Sequence, residues 1–110
     1  MVSETFLSIV QNARAGRVLV SRHGLKKINE RSIEYDEIVA GIESAETIED
    51  YPDYIHGPSV LVLQSDFQSS PIHVLWGLRR GGDSVAVLVT AYRPDPVRWD
   101  RTMKKRVAHD

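Results

Sequence analysis

His23, Lys27, Arg31, His73, Thr90, Tyr92 and Arg93 are the side chains whose types and places suit chemistry. His23 falls in the first turn of a short basic helix, with Lys27 one turn on and Arg31 two turns on. A neutral imidazole can take a proton from an RNA 2′-hydroxyl, which is what metal-free RNA cleavage requires. Arg31 can hold a phosphate through paired N–H bonds, with Lys27 on roughly the same side. His73 and Thr90 interrupt two strands that are otherwise almost wholly apolar. An unpaired polar group buried in such a strand costs about 1–3 kcal/mol, so each needs a use or a partner. Tyr92 and Arg93 put a stacking surface and a cation at a strand end, a combination suited to single-stranded RNA.

Most of these residues have a plainer alternative. His23 can bond the backbone and tether its helix to the sheet. Arg31 can pair with the acidic helix that follows. His73 and Thr90 can satisfy each other, and Tyr92 can be ordinary packing. Trp76 and Trp99 read as core or helix-docking residues. His56, between Ile55 and Gly57, reads as a solvated loop residue, and His109 belongs to the tail.

The bulk properties narrow the classes. A chain of 110 residues with 42% hydrophobic content is expected to form one domain with a real core. That core is expected over about residues 18–100, with 101–110 as a flexible tail. There is no cysteine, so disulfides and Cys-type metal sites are excluded. The four histidines are scattered, with no ligand pair four residues apart, and no metal or other cofactor is expected. No apolar run approaches the roughly 20 residues that span a bilayer. The opening residues carry no charged-then-apolar signal pattern. A cytoplasmic protein without a membrane partner is the expectation.

The net charge of −1 hides segregation. Residues 14–31 hold six cations and one acid, and residues 34–53 hold eight acids with no Lys or Arg. From Arg93 onward there are six cations against three acids. If the two basic segments meet, they form a phosphate-attracting face; otherwise the blocks pair with each other or face water.

The elements that must position these residues follow from capping and periodicity. Ser3 can cap a first helix with Phe6, Leu7, Val10 and Ala13 as its apolar stripe and Gly16 as its stop. Val18, Leu19 and Val20 form a short strand or an extended connection. Ser21 caps a helix reaching about Arg31, with Leu25 and Ile28 apolar. Ile33 before Glu34 staples a third helix whose buried face is Ile38, Val39 and Ile42. The period then changes to strands: residues 47–51 stopped by Pro52, an apolar run at 59–64, and alternation at 72–78 and 85–92. Gly81-Gly82 signals a hairpin between the last two. Its register puts His73 opposite Thr90, with Tyr92 one step along. Asp95-Pro96 is expected to open a final helix carrying Trp99 and Met103.

The run from Ser21 through Ile33 resembles the opening motif of the family called domain of unknown function 4258. Ile48-Glu49-Asp50-Tyr51-Pro52, Pro58-Ser59-Val60-Leu61-Val62-Leu63, His73-Val74 and Thr90-Ala91-Tyr92-Arg93-Pro94-Asp95-Pro96 followed by Trp99 match it in order and spacing. Where that family usually has a small residue, an arginine and a glycine, this chain has Gly24, Lys27 and Ser32. Lys27 keeps the positive charge but loses the bidentate fork. The family is similar to the RelE-type and BrnT-type ribonuclease toxins, small proteins with helices packed on an antiparallel sheet and held in check by an antitoxin.

The resemblance implies an α+β fold: two or three N-terminal helices on one face of an antiparallel sheet of about four strands, with a short C-terminal helix. It also implies a metal-independent ribonuclease toxin or a derivative of one. His23 or His73 would move the proton, Arg31 and Arg93 would stabilise phosphate charge, and Lys27, Thr90 and Tyr92 would bind substrate. The candidate partners are RNA, a small antitoxin protein and, in a homodimer, a second copy of the chain. The alternatives are a non-enzymatic protein-interaction domain and a small-ligand-binding domain.

Overall fold

The computed structural model describes residues 3–79 and 85–107. Three helices and five strands follow one another in the order α1 (Glu4–Arg14), β1 (Val18–Val20), α2 (Arg22–Glu30), α3 (Tyr35–Ala40), β2 (Glu46–Tyr51), β3 (Ser59–Ser65), β4 (Pro71–Leu78) and β5 (Ala86–Tyr92). The strands make one mixed sheet in the order β1-β5-β4-β3-β2. The β1–β5 pair is parallel and the other pairs are antiparallel. The sheet therefore has one strand more than expected and is not purely antiparallel. Val18, Leu19 and Val20 are a true strand because they find Ala86, Val87 and Leu88 as partners. That pairing is non-local and leaves no local mark in the sequence.

Local chemistry explains the helices. Ser3 accepts from the Phe6 N–H at 3.1 Å, and Gly16 at φ 75° stops α1. Phe6 and Ile9 are its core residues, whereas Leu7 stays 49% exposed. Ser21 caps α2 by accepting from the Gly24 N–H at 2.9 Å. Ile28 is buried, but Leu25 is half-exposed. Glu34 opens α3 without a side-chain cap, so Ile33 and Ile38, both buried, must hold that entry by packing.

The sheet divides into two faces. On one, Val60, Val62, Ile72, Val74, Trp76, Ala86, Leu88 and Ala91 pack with Phe6, Ile9, Ile28, Ile33, Ile38 and Ile42 into the core. Gln64 serves this core by donating to the Ile38 carbonyl at 2.7 Å and accepting from the Trp76 indole at 2.9 Å. The opposite face carries Tyr51, Ser59, Leu61, Leu63, His73, Leu75, Gly77, Thr90 and Tyr92, as the register dictates.

Two expectations about that second face are corrected. A bulge at Val89 shifts the β4–β5 register, so His73 lies opposite Tyr92 and Thr90 lies opposite Leu75. The bulge keeps both Leu88 and Ala91 on the core face, which strict alternation forbids. The Gly81-Gly82 turn itself lies outside the described residues, as does His109.

The expected C-terminal helix does not form among the described residues. Asp95 takes the Val97 N–H on its carboxylate, and its carbonyl accepts from Arg98 and Trp99 in a single turn. Asp100 takes the N–H and O–H of Thr102, Asp100 N–H donates to the Lys105 carbonyl, and Trp99 bridges Arg106. Asp side chains that bond the backbone two residues on offer an alternative to the helical ladder. The result is a hairpin-like strap, residues 93–107. Lys104 pairs with Glu46 at 2.7 Å and Arg106 with Glu49 at 2.9 Å, which ties the strap to β2. The tail cations thus meet the acidic block rather than the first basic segment.

Candidate functional site

His73 shows how the strap is held. Its side chain is fully buried. Nε2 lies 2.6 Å from the Met103 carbonyl and Nδ1 lies 3.1 Å from the Tyr92 hydroxyl. A carbonyl only accepts, so the proton sits on Nε2, and Nδ1 of the neutral ring accepts from Tyr92. Trp99 stands edge-on to the imidazole at 4.4 Å, and the Arg106 guanidinium lies 4.7 Å over the Trp99 ring. Burial above all pushes the His73 pKa down and the Tyr92 pKa up. Both ring nitrogens are occupied, and the geometry makes His73 the anchor of the strap.

The other expected site residues disperse. The Arg31 guanidinium, at the C-terminal end of α2, donates to the Ala91 carbonyl at 2.8 Å. Lys27 lies 3.5 Å from Glu30. Arg93 bonds Asp66 at 3.0 Å in the β3–β4 turn, where the other Asp66 oxygen accepts from Gln68 and Ser70. The Tyr92 hydroxyl is engaged by His73, and Thr90 is half-buried beside Leu75. His23 is separate from all of these, exposed at the start of α2.

His23 instead borders an open groove of about 590 Å³ on the half of the second face that the strap leaves uncovered. Leu75, Gly77, Val87 and Val89 floor it, and Ser21, His23, Tyr54, His56, Ser59, Leu78 and Arg79 rim it. Gly77 keeps the floor low: a Cβ there would come within 3.3 Å of the Ser59 hydroxyl and 3.4 Å of Val89. The connection between β2 and β3 brings in His56. Tyr54 N–H bonds the Tyr51 carbonyl, Gly57 N–H bonds the Tyr54 carbonyl, and Gly57 takes φ 119°. Leu78 N–H bonds the Pro58 carbonyl and fixes the loop to β4. The Tyr54 and His56 rings meet edge-on at 5.5 Å.

The sequence placed His56 in a solvated loop, and it is exposed there; what the sequence did not reveal is its place on the groove. The only local signal was a histidine beside a Gly-Pro turn. His23, which borders the same groove, is some thirty residues away in the chain. Among the described residues, no three or more His, Asp or Glu side chains converge as metal ligands would. No helix among them is long and apolar enough to cross a membrane.

Residues 20–93 match the model of the family described as Domain of unknown function (DUF4258). The chain belongs to this family. The match covers about two thirds of the sequence, from the last residue of β1 to just past the end of β5. No curated protein and no solved structure matches the chain. Within this family member, α2 is the edge cover of β5. Ser21 donates from its N–H to the Leu88 carbonyl and from its hydroxyl to the Val89 carbonyl, both at 3.1 Å. Gly24 lies so close that a Cβ would come within 2.8 Å of those same two oxygens. With Arg31 on Ala91, α2 satisfies the β5 carbonyls beyond the reach of short β1. Ser32 then ends the helix with φ 55°, the left-handed conformation that glycine adopts at little cost.

Proposed function

We propose that this domain is a metal-independent endoribonuclease of toxin type, or a close derivative, acting in the His23–His56 groove. One observation carries the reading: two imidazoles from separate segments border one solvent-open groove together with the Arg79 guanidinium. That set matches the needs of RNA transesterification. A neutral imidazole takes the proton from a 2′-hydroxyl, and the 2′-oxygen attacks the adjacent phosphorus. The P–O5′ bond breaks, and the second imidazole, protonated, gives its proton to the leaving 5′-oxygen. The products are a 2′,3′-cyclic phosphate and a 5′-hydroxyl. Arg79 supplies donors for the charge that builds on the phosphoryl oxygens. Tyr54, 53% exposed beside His56, offers a ring for an unpaired base.

The likeness to RelE-type and BrnT-type toxins supports this reading through the family. It moves the chemistry away from His73, Arg31 and Arg93, whose polar groups serve the fold. The direct test is expression in a bacterial host with growth and total RNA integrity followed together. The expected result is growth arrest with fragmented RNA, relieved by His23→Ala and by His56→Ala.

The apolar floor of Leu75, Val87 and Val89 favours a second reading. An inactive relative could use the groove to seat an apolar segment of a small protein partner, such as an antitoxin. Unchanged growth and intact RNA, with a small protein recovered on the groove, would favour that reading.

A further inference from the structure

The strap is held less firmly than the sheet it covers. Of residues 93–107, only Pro94 and Trp99 are buried. The root is fixed by Arg93 on Asp66, whose carboxylate also orders the β3–β4 turn. Beyond the root, three kinds of tie remain. They are the His73 bond to the Met103 carbonyl, the Trp99 ring against the imidazole, and two solvent-exposed ion pairs to β2. Exposed pairs contribute little, and segments with few buried apolar groups open before the whole fold does. What the strap covers continues the groove. Leu75, on the groove floor, lies two residues along β4 from His73 and on the same face. Tyr92 lies opposite His73 on β5.

We propose that the strap is an acid-released cover, hinged at Arg93 and Pro94, that lifts off the sheet as a unit when His73 takes up a proton and so lengthens the groove to Tyr92. The inference rests on the ties of the strap and goes beyond the ribonuclease reading. The groups that face the imidazole are Tyr92 from β5, Glu49 from β2, and the Met103 carbonyl, Trp99 and Arg106 from the strap. Glu49 and Arg106 bond each other, so their opposite effects on the ring largely offset. Burial is the main reason that the closed ring resists a proton; the Met103 bond opposes it. Raising the strap lets water reach the ring and restores its ordinary affinity. The open form therefore takes a proton that the closed form refuses. Closure is favoured above the ordinary value of 6.5 and loses ground as pH falls through the lower, closed value.

The two tryptophans make the test direct. Trp99 belongs to the strap, and Trp76 is fully buried in the core on the other face, bonded to Gln64. Acrylamide quenching of fluorescence lifetimes is measured on the full chain between pH 7.5 and 5, beside far-ultraviolet circular dichroism. Trp99→Phe isolates the Trp76 signal. Trp99 is expected to be quenched severalfold more readily at pH 5, with Trp76 and the dichroism unchanged. His73→Gln keeps an N–H donor for the Met103 carbonyl but cannot titrate, and is expected to remove the pH dependence. Lys104→Gln cuts the exposed tie to Glu46 and leaves His73 in place. It is expected to raise quenching of Trp99 about two- to fivefold at neutral pH. Equal shielding of Trp99 at both pH values in the wild type overturns the cover. Exposure of both tryptophans together, with loss of dichroism, makes the event global unfolding and overturns it likewise. An undiminished pH dependence in folded His73→Gln overturns the histidine as the release.

Discussion

His73 donates from Nε2 to the Met103 carbonyl at 2.6 Å, joining the middle of the sheet to the strap that closes over it. The bond holds only the tautomer with its proton on Nε2, and burial disfavours the charged ring. The folded pKa is therefore lowered from the ordinary value of 6.5, with burial outweighing the opposing Met103 bond. A depressed pKa means that the unfolded chain binds the proton first as pH falls. The stability tied to this residue is fully present above 6.5 and is lost as pH falls through the folded value. Urea unfolding between pH 7.5 and 5 is expected to show that decline, and His73→Phe to flatten it. A slope that persists unchanged in His73→Phe assigns the decline to other groups.

The same variant has a cost at neutral pH. His73→Phe keeps the ring volume but leaves the Met103 carbonyl without its donor. The expected loss is about 1–3 kcal/mol, the usual penalty for orphaning a buried polar group. The check is the shift in urea midpoint at pH 7.5, read together with the near-ultraviolet signal of Trp99.

Arg31 separates a fold role from a catalytic one. Its guanidinium satisfies the Ala91 carbonyl at the sheet edge. Arg31→Ala is expected to lower stability by about 1 kcal/mol, the typical net value of such a bond, without removing a group from the groove. Measured at a temperature where the variant stays folded, RNA cleavage should persist. Complete loss of cleavage from a fully folded Arg31→Ala would return this residue to the chemistry.

The two ends of α2 give opposite expectations. Ser32 holds φ 55° with a β-carbon, and a left-handed residue of that kind costs roughly 1–2 kcal/mol. Ser32→Gly relieves that cost but adds unfolded-state entropy, so a net gain of up to about 1 kcal/mol is expected. Gly24→Ala places a methyl within 2.8 Å of two backbone oxygens and should destabilise by about 1–3 kcal/mol. Thermal unfolding of both variants checks the pair of signs.

Much of the architecture was legible because it is written locally. Ser21 announced α2, Ile33 before Glu34 announced α3, an unbroken apolar run announced β3, and period-two alternation announced β4 and β5. What was hidden depends on contacts distant in sequence. Nothing near Val18 says that it will pair with Ala86. Nothing in the alternation of β5 says that Val89 will bulge, because the bulge answers the docking of Ser21 and Gly24. The strap read as a helix because Asp95-Pro96 is a good helix opening, yet Asp100 and Thr102 divert the next turn. The candidate site was half legible: His23 stood out by its place in a capped helix. His56 did not, since only the folded connection between β2 and β3 brings it to the same groove.

The central claim is that His23 and His56 act together on RNA, and the sharpest measurement is the cleavage rate of a single-stranded RNA against pH. Wild-type protein is expected to give a bell-shaped profile, since one imidazole must be neutral and the other protonated, and to leave 2′,3′-cyclic phosphate ends. Folded His23→Ala and His56→Ala should each lose roughly 100- to 10,000-fold in rate and one limb of the bell. Full activity in both variants, or no cleavage by the wild type at any pH, would contradict it.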